Sequence, residues 1–245
     1  LFYNRFDGFS ARCITNQLIV QIPGCTDPTA INYDPDATED DGSCCNNFSE
    51  ITSIGQFGGG NESSLSMSSS GERVVIGNYV GDQVQVFDWQ NNQWVEVGSV
   101  ITPQNTISID VEFGSAVSIS GDGNVIAVAS EIGGAMTEVY VWNNDDWYFD
   151  ESIPFENVYQ LSLNYNGSSL VVGGRNSSLF NIYKKENSSW VQEYSGSYDI
   201  ADVSVDIDGL GNRIVARSSL TTIDVLGKDG DNVWGIIETI PYSCT

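Results

Sequence analysis

The sequence predicts an all-β protein, in which four repeated four-stranded units follow a small cysteine-rich N-terminal module. Three observations predict this organisation. A glycine that ends a short alternating strand recurs at Gly71, Gly123, Gly167 and Gly211, and a tryptophan follows each glycine after 23 or 24 residues. No segment carries a long apolar pattern with the helical period of about 3.6 residues. Four of the five cysteines lie within the first 45 residues.

Each repeat contains four short segments with the composition of β-strands. In the second repeat the first strand alternates in "VSIS" (117–120), and a turn follows in which glycine tolerates positive φ. The second strand, "VIAVA" (125–129), is apolar throughout, as expected for a strand covered on both faces. The third strand carries an aromatic residue, Tyr140, and the fourth begins at the recurring tryptophan, Trp147. The absence of helical periodicity predicts very little helix.

A repeat of about 45 residues with four strands is typical of a β-propeller blade. We therefore predict a β-propeller-like array of four four-stranded blades in residues 51–245, preceded by a small disulfide-linked module in residues 1–50. The four repeats span about 57–101, 113–153, 157–197 and 200–240. Three arrangements are compatible with four blades: a closed disc, part of a larger disc, or an open array whose edges pair with neighbouring copies. We favour the closed four-blade disc.

The second repeat resembles a known family. "FGSAVSISGDGNVIAVAS" (113–130), continuing to "EVYVWNNDDW", resembles the FG-GAP-type repeat of integrin-like and secreted microbial β-propellers. Residues 57–89 are a looser copy, and the last two repeats are similar to it only in spacing. Integrin-type repeats often hold calcium in a D-x-D-x-D-G loop, but no turn here has three aspartates at that spacing. We therefore interpret Asp206 and Asp208 as turn-forming acids.

The N-terminal module carries a second resemblance. "GCTDPTAINYDPDATEDDGSC" (24–44) matches every fixed position of a short repeat, G-C-x-D-P-x-A-x-N-Y-x-P-x-A-x-x-D-D-G-S-C, found in secreted proteins of marine bacteria and algae. In that family the cysteines pair and the acidic loop resembles the calcium loops of thrombospondin type 3 repeats. The resemblance implies a Cys25–Cys44 disulfide and a bound calcium ion. The implied oxygen ligands are Asp27, Asn32, Asp34, Asp36, Asp40 and Asp41.

The composition of this loop independently indicates that a disulfide or a bound ion, and not a hydrophobic core, gives it a fixed conformation. With Ile31 and Tyr33 as its main large apolar side chains, the segment cannot order itself around a core. Closing a loop of this size with a disulfide contributes about 3 kcal/mol, and Pro28 and Pro35 restrict the unfolded chain. Calcium, which takes carboxylate and carbonyl oxygens, would neutralise the mutual repulsion of the acids. The alternative is a solvated acidic linker that the disulfide closes without a metal.

Three further cysteines remain, at Cys13, Cys45 and Cys244. A bond between the adjacent Cys44 and Cys45 is strained and rare, so these two are expected to have different partners. The second disulfide is then either Cys13–Cys45 or Cys45–Cys244. One thiol is left over in both cases, which predicts an intermolecular bridge or a partner outside the sequence.

Charge and composition exclude several classes of function. The chain has 9 Lys and Arg against 33 Asp and Glu, a net charge of −24, which disfavours binding to nucleic acid or to anionic membranes. There is no histidine, which excludes Ser-His-Asp and Cys-His nucleophiles and imidazole-based metal sites. No run of 18 apolar residues occurs, so we expect no membrane insertion.

The cysteine pattern and the glycosylation signals together favour an extracellular, secreted or cell-surface glycoprotein. Sequons with possible N-linked glycans occur at Asn47, Asn61, Asn166, Asn176 and Asn187.

These observations predict a non-catalytic structural glycoprotein of an extracellular filament, coat or wall, in which the chain associates with itself. The alternative is a calcium-dependent adhesion module that binds glycans or cell-surface proteins, with Trp89, Trp142 and Trp147 stacking on sugar rings. The recurrence of a tryptophan at one position in every repeat instead favours packing for Trp147 and its equivalents. A glycosidase that uses two carboxylates is the third and weakest hypothesis, because no pair of acids stands out.

Overall fold

The computed structural model describes residues 21–30, 32–44, 63–104, 111–131, 136–155 and 157–241. It divides the chain into two compact units, Leu1–Ile51 and Thr52–Thr245. Unit 1 contains a short parallel pair, β1 (Pro23–Gly24) and β2 (Glu39–Asp40).

Unit 2 consists of four four-stranded antiparallel sheets, each formed by strands consecutive in the chain. Sheet I contains β3 (Ser63–Met67), β4 (Arg73–Asn78), β5 (Gln83–Gln90) and β6 (Gln93–Glu96). Sheet II contains β7 (Ala116–Ile119), β8 (Val125–Ala129), β9 (Met136–Asn143) and β10 (Asp146–Pro154). Sheet III contains β11 (Val158–Leu163), β12 (Ser169–Gly174), β13 (Leu179–Glu186) and β14 (Ser189–Ser197). Sheet IV contains β15 (Val205–Ile207), β16 (Arg213–Arg217), β17 (Thr222–Lys228) and β18 (Trp234–Pro241).

The all-β prediction is confirmed, and each sequence repeat forms one of the four sheets. In the described residues the only helical segment is a single 3₁₀ turn, Tyr79–Gly81. The recurring glycines lie in the turn between the first and second strand of every sheet, with φ of +75° at Gly71, +78° at Gly123, +66° at Gly167 and +71° at Gly211. Glycine adopts this left-handed conformation without the steric penalty of a Cβ atom, so its recurrence fixes the same turn four times.

The sheets stack in chain order, because a separate apolar cluster joins each sheet to the next. Sheets I and II enclose a cluster around Phe113 and Ile126, and sheets II and III enclose one around Leu170 and Ala127. Sheets III and IV enclose a third cluster around Phe180. The inner strands β3, β7, β11 and β15 therefore form a row, in which each contacts the next. We call the face of a sheet that contacts the preceding sheet its leading face, and the opposite face its trailing face.

A hydrogen bond from one inner strand to the next repeats at each junction. The backbone N–H of Ile119 donates to the hydroxyl of Ser66 at 3.1 Å, and that of Leu163 donates to Ser118 at 3.0 Å. At the third junction the N–H of Ile207 donates to Ser162 at 3.3 Å. The alternating serines of the first strand thus face the following sheet and satisfy a backbone donor of its inner strand.

The row does not close into a ring within the described residues. The three clusters account for the junctions I–II, II–III and III–IV, and no apolar cluster of the described residues joins sheet IV to sheet I. Leu65, on the leading face of sheet I, is 66% exposed, whereas its counterpart Val117 in sheet II is buried. The closed four-blade disc that we favoured is therefore not observed, because the outer faces of the end sheets do not meet. No helix in the described part of the chain is long and apolar enough to cross a membrane.

Candidate functional site

The acidic loop of unit 1 is closed by the Cys25–Cys44 disulfide, which the family resemblance implies. The two Cα atoms lie 4.6 Å apart, and Cys25 is buried. The N–H of Asp34 donates to the carbonyl oxygen of Cys25 at 2.9 Å, which brings the middle of the loop back to its first cysteine. Ala30 is the other buried apolar residue of the described loop. The disulfide thus substitutes for a core that the loop does not contain.

At four of the six predicted calcium ligands, one carboxylate oxygen closes a turn of the loop itself. The carboxylate of Asp27 accepts hydrogen bonds from the N–H and the hydroxyl of Thr29, both at 2.8 Å. Asp34, Asp40 and Asp41 each accept a bond at 2.9 Å from the N–H two residues ahead. This pattern is that of the Asx turn, in which a short side chain satisfies its own neighbouring backbone.

Asn32 also has a structural partner, since its amide nitrogen donates to the carbonyl oxygen of Ser43 at 2.7 Å. In the described residues, no group of three or more acidic or cysteine side chains lies close enough to hold a metal ion. The loop therefore does not form an assembled calcium shell in this arrangement, and calcium binding stays a prediction. Asp36, the sixth predicted ligand, is exposed and donates its N–H to Asp34.

Two of these carboxylates are held in the charged form by their turns. The backbone N–H of Thr29, and then its hydroxyl, lower the pKa of Asp27. The Ser43 hydroxyl, and then its backbone N–H, lower the pKa of Asp41. Both shifts have the same physical cause, because a hydrogen bond to a carboxylate stabilises its ionised state. Asp27 and Asp41 therefore stay ionised at neutral pH.

The three sequon asparagines that lie in the described residues are all exposed. Asn166, in the turn between β11 and β12, uses its side-chain oxygen to accept bonds from the N–H and hydroxyl of Ser168. Asn176 and Asn187 have positive φ values of 53° and 48° and lie in tight turns of sheet III. The positions leave space for glycans, and their occupancy stays a prediction. Asn47, Asn61, Cys13, Cys45 and Cys244 lie outside the described residues.

A polar groove follows the inner strands of unit 2. It has a volume of about 540 Å³ and is lined by residues of all four sheets. Ser66, Ser118 and Ser162 contribute to its wall and also bond the sheets together. Asp206 is the single carboxylate among the described lining residues, and the Ser162 hydroxyl donates to it at 2.6 Å. Asp206 occupies the position of the recurring serine, so it joins this pattern of contacts between sheets.

The tryptophans near the hairpin tips pair across neighbouring strands. The ring centroids of Trp142 and Trp147 lie 5.1 Å apart, and those of Trp89 and Trp94 lie 5.3 Å apart. Trp147 is buried in the cluster between sheets I and II, whereas Trp89 and Trp94 are half-buried. Trp234, which occupies the same repeat position in sheet IV, is also buried. Packing is thus the observed role of Trp147 and Trp234.

Sequence reasoning did not find the ionic contact that covers the Trp142–Trp147 pair. The guanidinium of Arg73 forms two hydrogen bonds with the Asp88 carboxylate, at 2.6 and 2.8 Å. The same group lies 4.7 Å from the ring centroid of Trp142 and donates to the carbonyl oxygen of Gly123 at 2.8 Å. Arg73 therefore ties sheet I to sheet II. An arginine two residues after the recurring glycine is the sequence signal that marks it.

A second feature that sequence reasoning missed is a buried acid in an apolar strand. Glu138 is 2% exposed and accepts a bond of 2.5 Å from the hydroxyl of Tyr140. The N–H of Gln104 donates to both of its carboxylate oxygens, at 3.1 and 3.0 Å. Burial, and then the hydrogen bond to Glu138, raise the pKa of Tyr140. The sequence signal is a glutamate inside β9, among residues that otherwise face the two clusters.

Comparisons with known proteins define the fold more than the function. No family model matches the chain, and no curated protein matches it. Among solved structures, a protein from Lactobacillus plantarum superposes with a TM-score of 0.55 at 12% identity, over 72% of this chain and 56% of its own. A Bacteroides uniformis protein, provisionally named a 6-phosphogluconolactonase, gives a TM-score of 0.57 at 13% identity, over 74% of this chain and 55% of its own.

A chain from the complex of KlAtg21 with the coiled coil of AgAtg16 gives a TM-score of 0.55 at 15% identity, over 74% of this chain and 58% of its own. This chain therefore spans little more than half the length of the structures that it matches. At identities of 12 to 15%, these likenesses show a shared fold.

Proposed function

We propose that this chain is a non-catalytic structural subunit of an extracellular assembly, and that residues 51–245 form a β-propeller-like array of four blades. One observation carries the proposal. The sheets stack through the same repeated contacts, and the outer faces of the end sheets are left partly exposed. Leu65 on sheet I is 66% exposed and Val215 on sheet IV is 42% exposed. Apolar faces of this kind are typical of surfaces that bind a protein partner.

The extracellular location is supported by the disulfide and by the surface. Disulfides persist in oxidising compartments and are rare in the reducing cytosol. Asn166, Asn176 and Asn187 are exposed in turns, where attached glycans would not disturb the sheets. A net charge of −24 keeps such a glycoprotein soluble before it assembles.

Electron microscopy and analytical ultracentrifugation of the purified full-length chain test this proposal. We expect ordered particles of several subunits, which dissociate on dilution. Intact mass before and after enzymatic removal of N-glycans reports whether the sequons carry sugar. A strictly monomeric, unglycosylated chain at every concentration, with and without calcium, would contradict the structural role.

Calcium is proposed as a ligand of the acidic loop. Because the turns at Asp27, Asp34, Asp40 and Asp41 hold one oxygen of each carboxylate, calcium would bind through the second oxygens, and the loop would have to bring these carboxylates together. We therefore expect affinity at the weak end of calcium modules, with Kd of about 10⁻⁴ to 10⁻³ M. Isothermal titration with calcium measures it, and a Kd far below this range would show that the turns rearrange at little cost.

A glycan-binding adhesion module is the second candidate function. The observation that favours it is the half-buried Trp89–Trp94 pair, since exposed aromatic faces stack on sugar rings. Binding to a glycan array that is lost in the Trp89→Ala variant, without loss of folding, would support this function over the structural one. Adding a chelator separates the calcium-dependent form from the calcium-independent form.

The lactonase name of the Bacteroides uniformis protein supplies a direct test of the non-catalytic proposal. That likeness rests on fold at 13% identity. The described lining of the groove contains one carboxylate, Asp206, which the Ser162 hydroxyl contacts. We expect no hydrolysis of 6-phosphogluconolactone by the purified chain above the spontaneous rate. Turnover that saturates with substrate and is lost in Asp206→Asn would overturn the proposal.

A further inference from the structure

The junction between sheets I and II shows how one sheet recognises the next. Arg73 projects from the trailing face of sheet I and lies over Trp142 and Trp147 on the leading face of sheet II, at 4.7 and 5.6 Å from their ring centroids. It also donates to the carbonyl oxygen of Gly123 in the turn of sheet II. Val75, on the same face as Arg73, is fully buried in the cluster between the two sheets.

The trailing face of sheet IV carries the same arginine, and no sheet of the described residues covers it. Arg213 stands two residues after Gly211, as Arg73 stands two residues after Gly71. Ile214 and Ala216 face sheet III, so the alternation of β16 places Arg213 and Val215 on the opposite, trailing face. Sheets II and III have Val125 and Ser169 at the position of the arginine. The arginine therefore occurs only in the two end sheets.

The leading face of sheet I carries the matching aromatic pair. Trp89 and Trp94 are cross-strand partners in sheet I, as Trp142 and Trp147 are in sheet II. Sheets III and IV have a single tryptophan in the corresponding hairpin, at Trp190 and Trp234. The two tryptophan pairs thus occur only in the first two sheets, one already covered by Arg73 and the other half-buried.

The exposed fractions of apolar side chains distinguish the same two faces, the trailing face of sheet IV and the leading face of sheet I. Val215 is 42% exposed, whereas Val75, Ala127 and Val171 at its position in the other sheets are fully buried. On the leading side, Leu65 and Met67 are 66% and 54% exposed, against 7% and 4% for Val117 and Ile119 in sheet II. Val74 and Ile76 on that face are buried, so the exposed part is the inner strand β3.

We propose that a second copy of this chain docks head to tail, with the trailing face of sheet IV against the leading face of sheet I of the next copy. Arg213 of one copy then lies over Trp89 and Trp94 of the other, as Arg73 lies over the tryptophan pair of sheet II. This inference rests on the proposed function and names the partner and the contact through which the chain assembles.

Charge complementarity supports a second copy as the occupant. Arg213 and Arg217, on β16, belong to a chain with only nine cationic residues, and they flank the exposed Val215. On the opposite end, Glu72 and Glu96 are exposed beside Trp89 and Trp94. Two such contacts related by a twofold axis join eight sheets, a number within the usual range of about four to eight blades, and close the assembly.

Sedimentation velocity on the full chain, with free thiols blocked by iodoacetamide to exclude intermolecular disulfides, measures this association. We expect a dimer that strengthens with added salt, because salt screens the repulsion between two copies of charge −24. The variant Arg213→Glu with Val215→Lys disables the trailing face, and it is expected to weaken the dimer by about tenfold or more. Val233→Lys is the matched control, since Val233 is 59% exposed and precedes β18, outside the strands that form the face.

Mixing two disabled variants distinguishes head-to-tail docking from a contact between like faces. Leu65→Glu with Met67→Lys disables the leading face, so each disabled variant alone should dimerise about tenfold or more weakly than the parent. Their mixture retains one intact pair of faces and should recover a heterodimer, with a Kd weaker than that of the parent dimer. Circular dichroism and the unfolding midpoint of each variant verify that the sheets still form.

The outcomes separate this inference from the proposed function. If the disabled variants assemble like the parent in the microscope, the docking mode is wrong while the structural role stands. If the mixture fails to recover a heterodimer although both variants are folded, the head-to-tail arrangement is also wrong. If the parent chain is monomeric at all concentrations, both proposals fail.

Discussion

Replacing Arg73 with alanine tests the contact on which the stacking of sheets I and II depends. The guanidinium bonds to the two oxygens of Asp88 at 2.6 and 2.8 Å, bonds to the Gly123 carbonyl oxygen at 2.8 Å and lies over Trp142. The side chains of the ion pair are only 16% and 21% exposed. The substitution removes all of these contacts together and leaves the Asp88 carboxylate beside the sheet junction without its counter-ion.

The expected loss of stability follows from the burial of the pair. Breaking a fully buried ion pair by removing one partner costs about 3 to 5 kcal/mol, and an exposed pair contributes about 0 to 1 kcal/mol. With about a fifth of each side chain exposed, we discount the buried value to about 3 kcal/mol, which includes the lost contact with Trp142. For a domain of this size the melting temperature should fall by about 6 to 12 °C.

Urea unfolding followed by tryptophan fluorescence measures the change, because Trp142 and Trp147 report directly on this junction. Arg175→Ala is the matched control, since Arg175 also pairs with a carboxylate, that of Glu131, but the two side chains are 37% and 24% exposed. We expect the control to lose about 1 kcal/mol or less. Equal losses of unfolding free energy for the two variants would refute this reasoning, because we attribute the larger contribution of Arg73 to the shielding of its guanidinium from solvent at the sheet junction.

Four further predictions follow from single contacts. Cys44→Ser should lower the stability of the acidic loop by about 3 kcal/mol, seen as faster amide exchange in residues 22–41. Ser118→Ala should cost about 1 to 2 kcal/mol in urea, because the Leu163 N–H loses its buried acceptor. The raised pKa of Tyr140 stabilises the fold fully below pH 10 and progressively less as the pH rises further, and Tyr140→Phe should flatten that alkaline slope in unfolding experiments. Asn166→Gln should remove one glycan-sized step from the intact mass of the secreted chain, while Asn212→Gln, at an exposed asparagine outside any sequon, should remove none.

The repeats were predictable because each is specified by local chemistry. A turn with positive φ selects glycine, and an inner strand between two sheets selects apolar residues on one face and small ones on the other. Gly123 and Gly167 therefore mark turns without any knowledge of the tertiary structure. The alternation of "VSIS" (117–120) likewise predicts a strand, and the structure adds that Ser118 faces the following sheet, where it accepts a hydrogen bond.

The state of the acidic loop was not predictable from residue types alone. Aspartate both ligates calcium and closes Asx turns, so the residue type alone does not say how the carboxylate is oriented. In the described geometry Asp27 and Asp41 use an oxygen to accept bonds from residues two positions ahead. The sequence therefore predicts which oxygen atoms the loop contains, whereas the direction of each carboxylate depends on local hydrogen bonds that a pattern does not encode.

The arrangement of the end sheets depends on information spread over the whole chain, and this explains why the sequence favoured the wrong closure. A closed ring requires the last sheet to meet the first. Whether they meet depends on the angle between successive sheets, which the sequence of a single repeat does not reveal. Yet the residues that the ring would have needed are present in the sequence, because Arg213 repeats the position of Arg73 and Trp89 repeats that of Trp142. Four sheets bring these groups to opposite ends of one chain, where they do not meet. In the head-to-tail contact that we propose, Arg213 of one copy reaches Trp89 of the next, so the repeated arginine would act between copies.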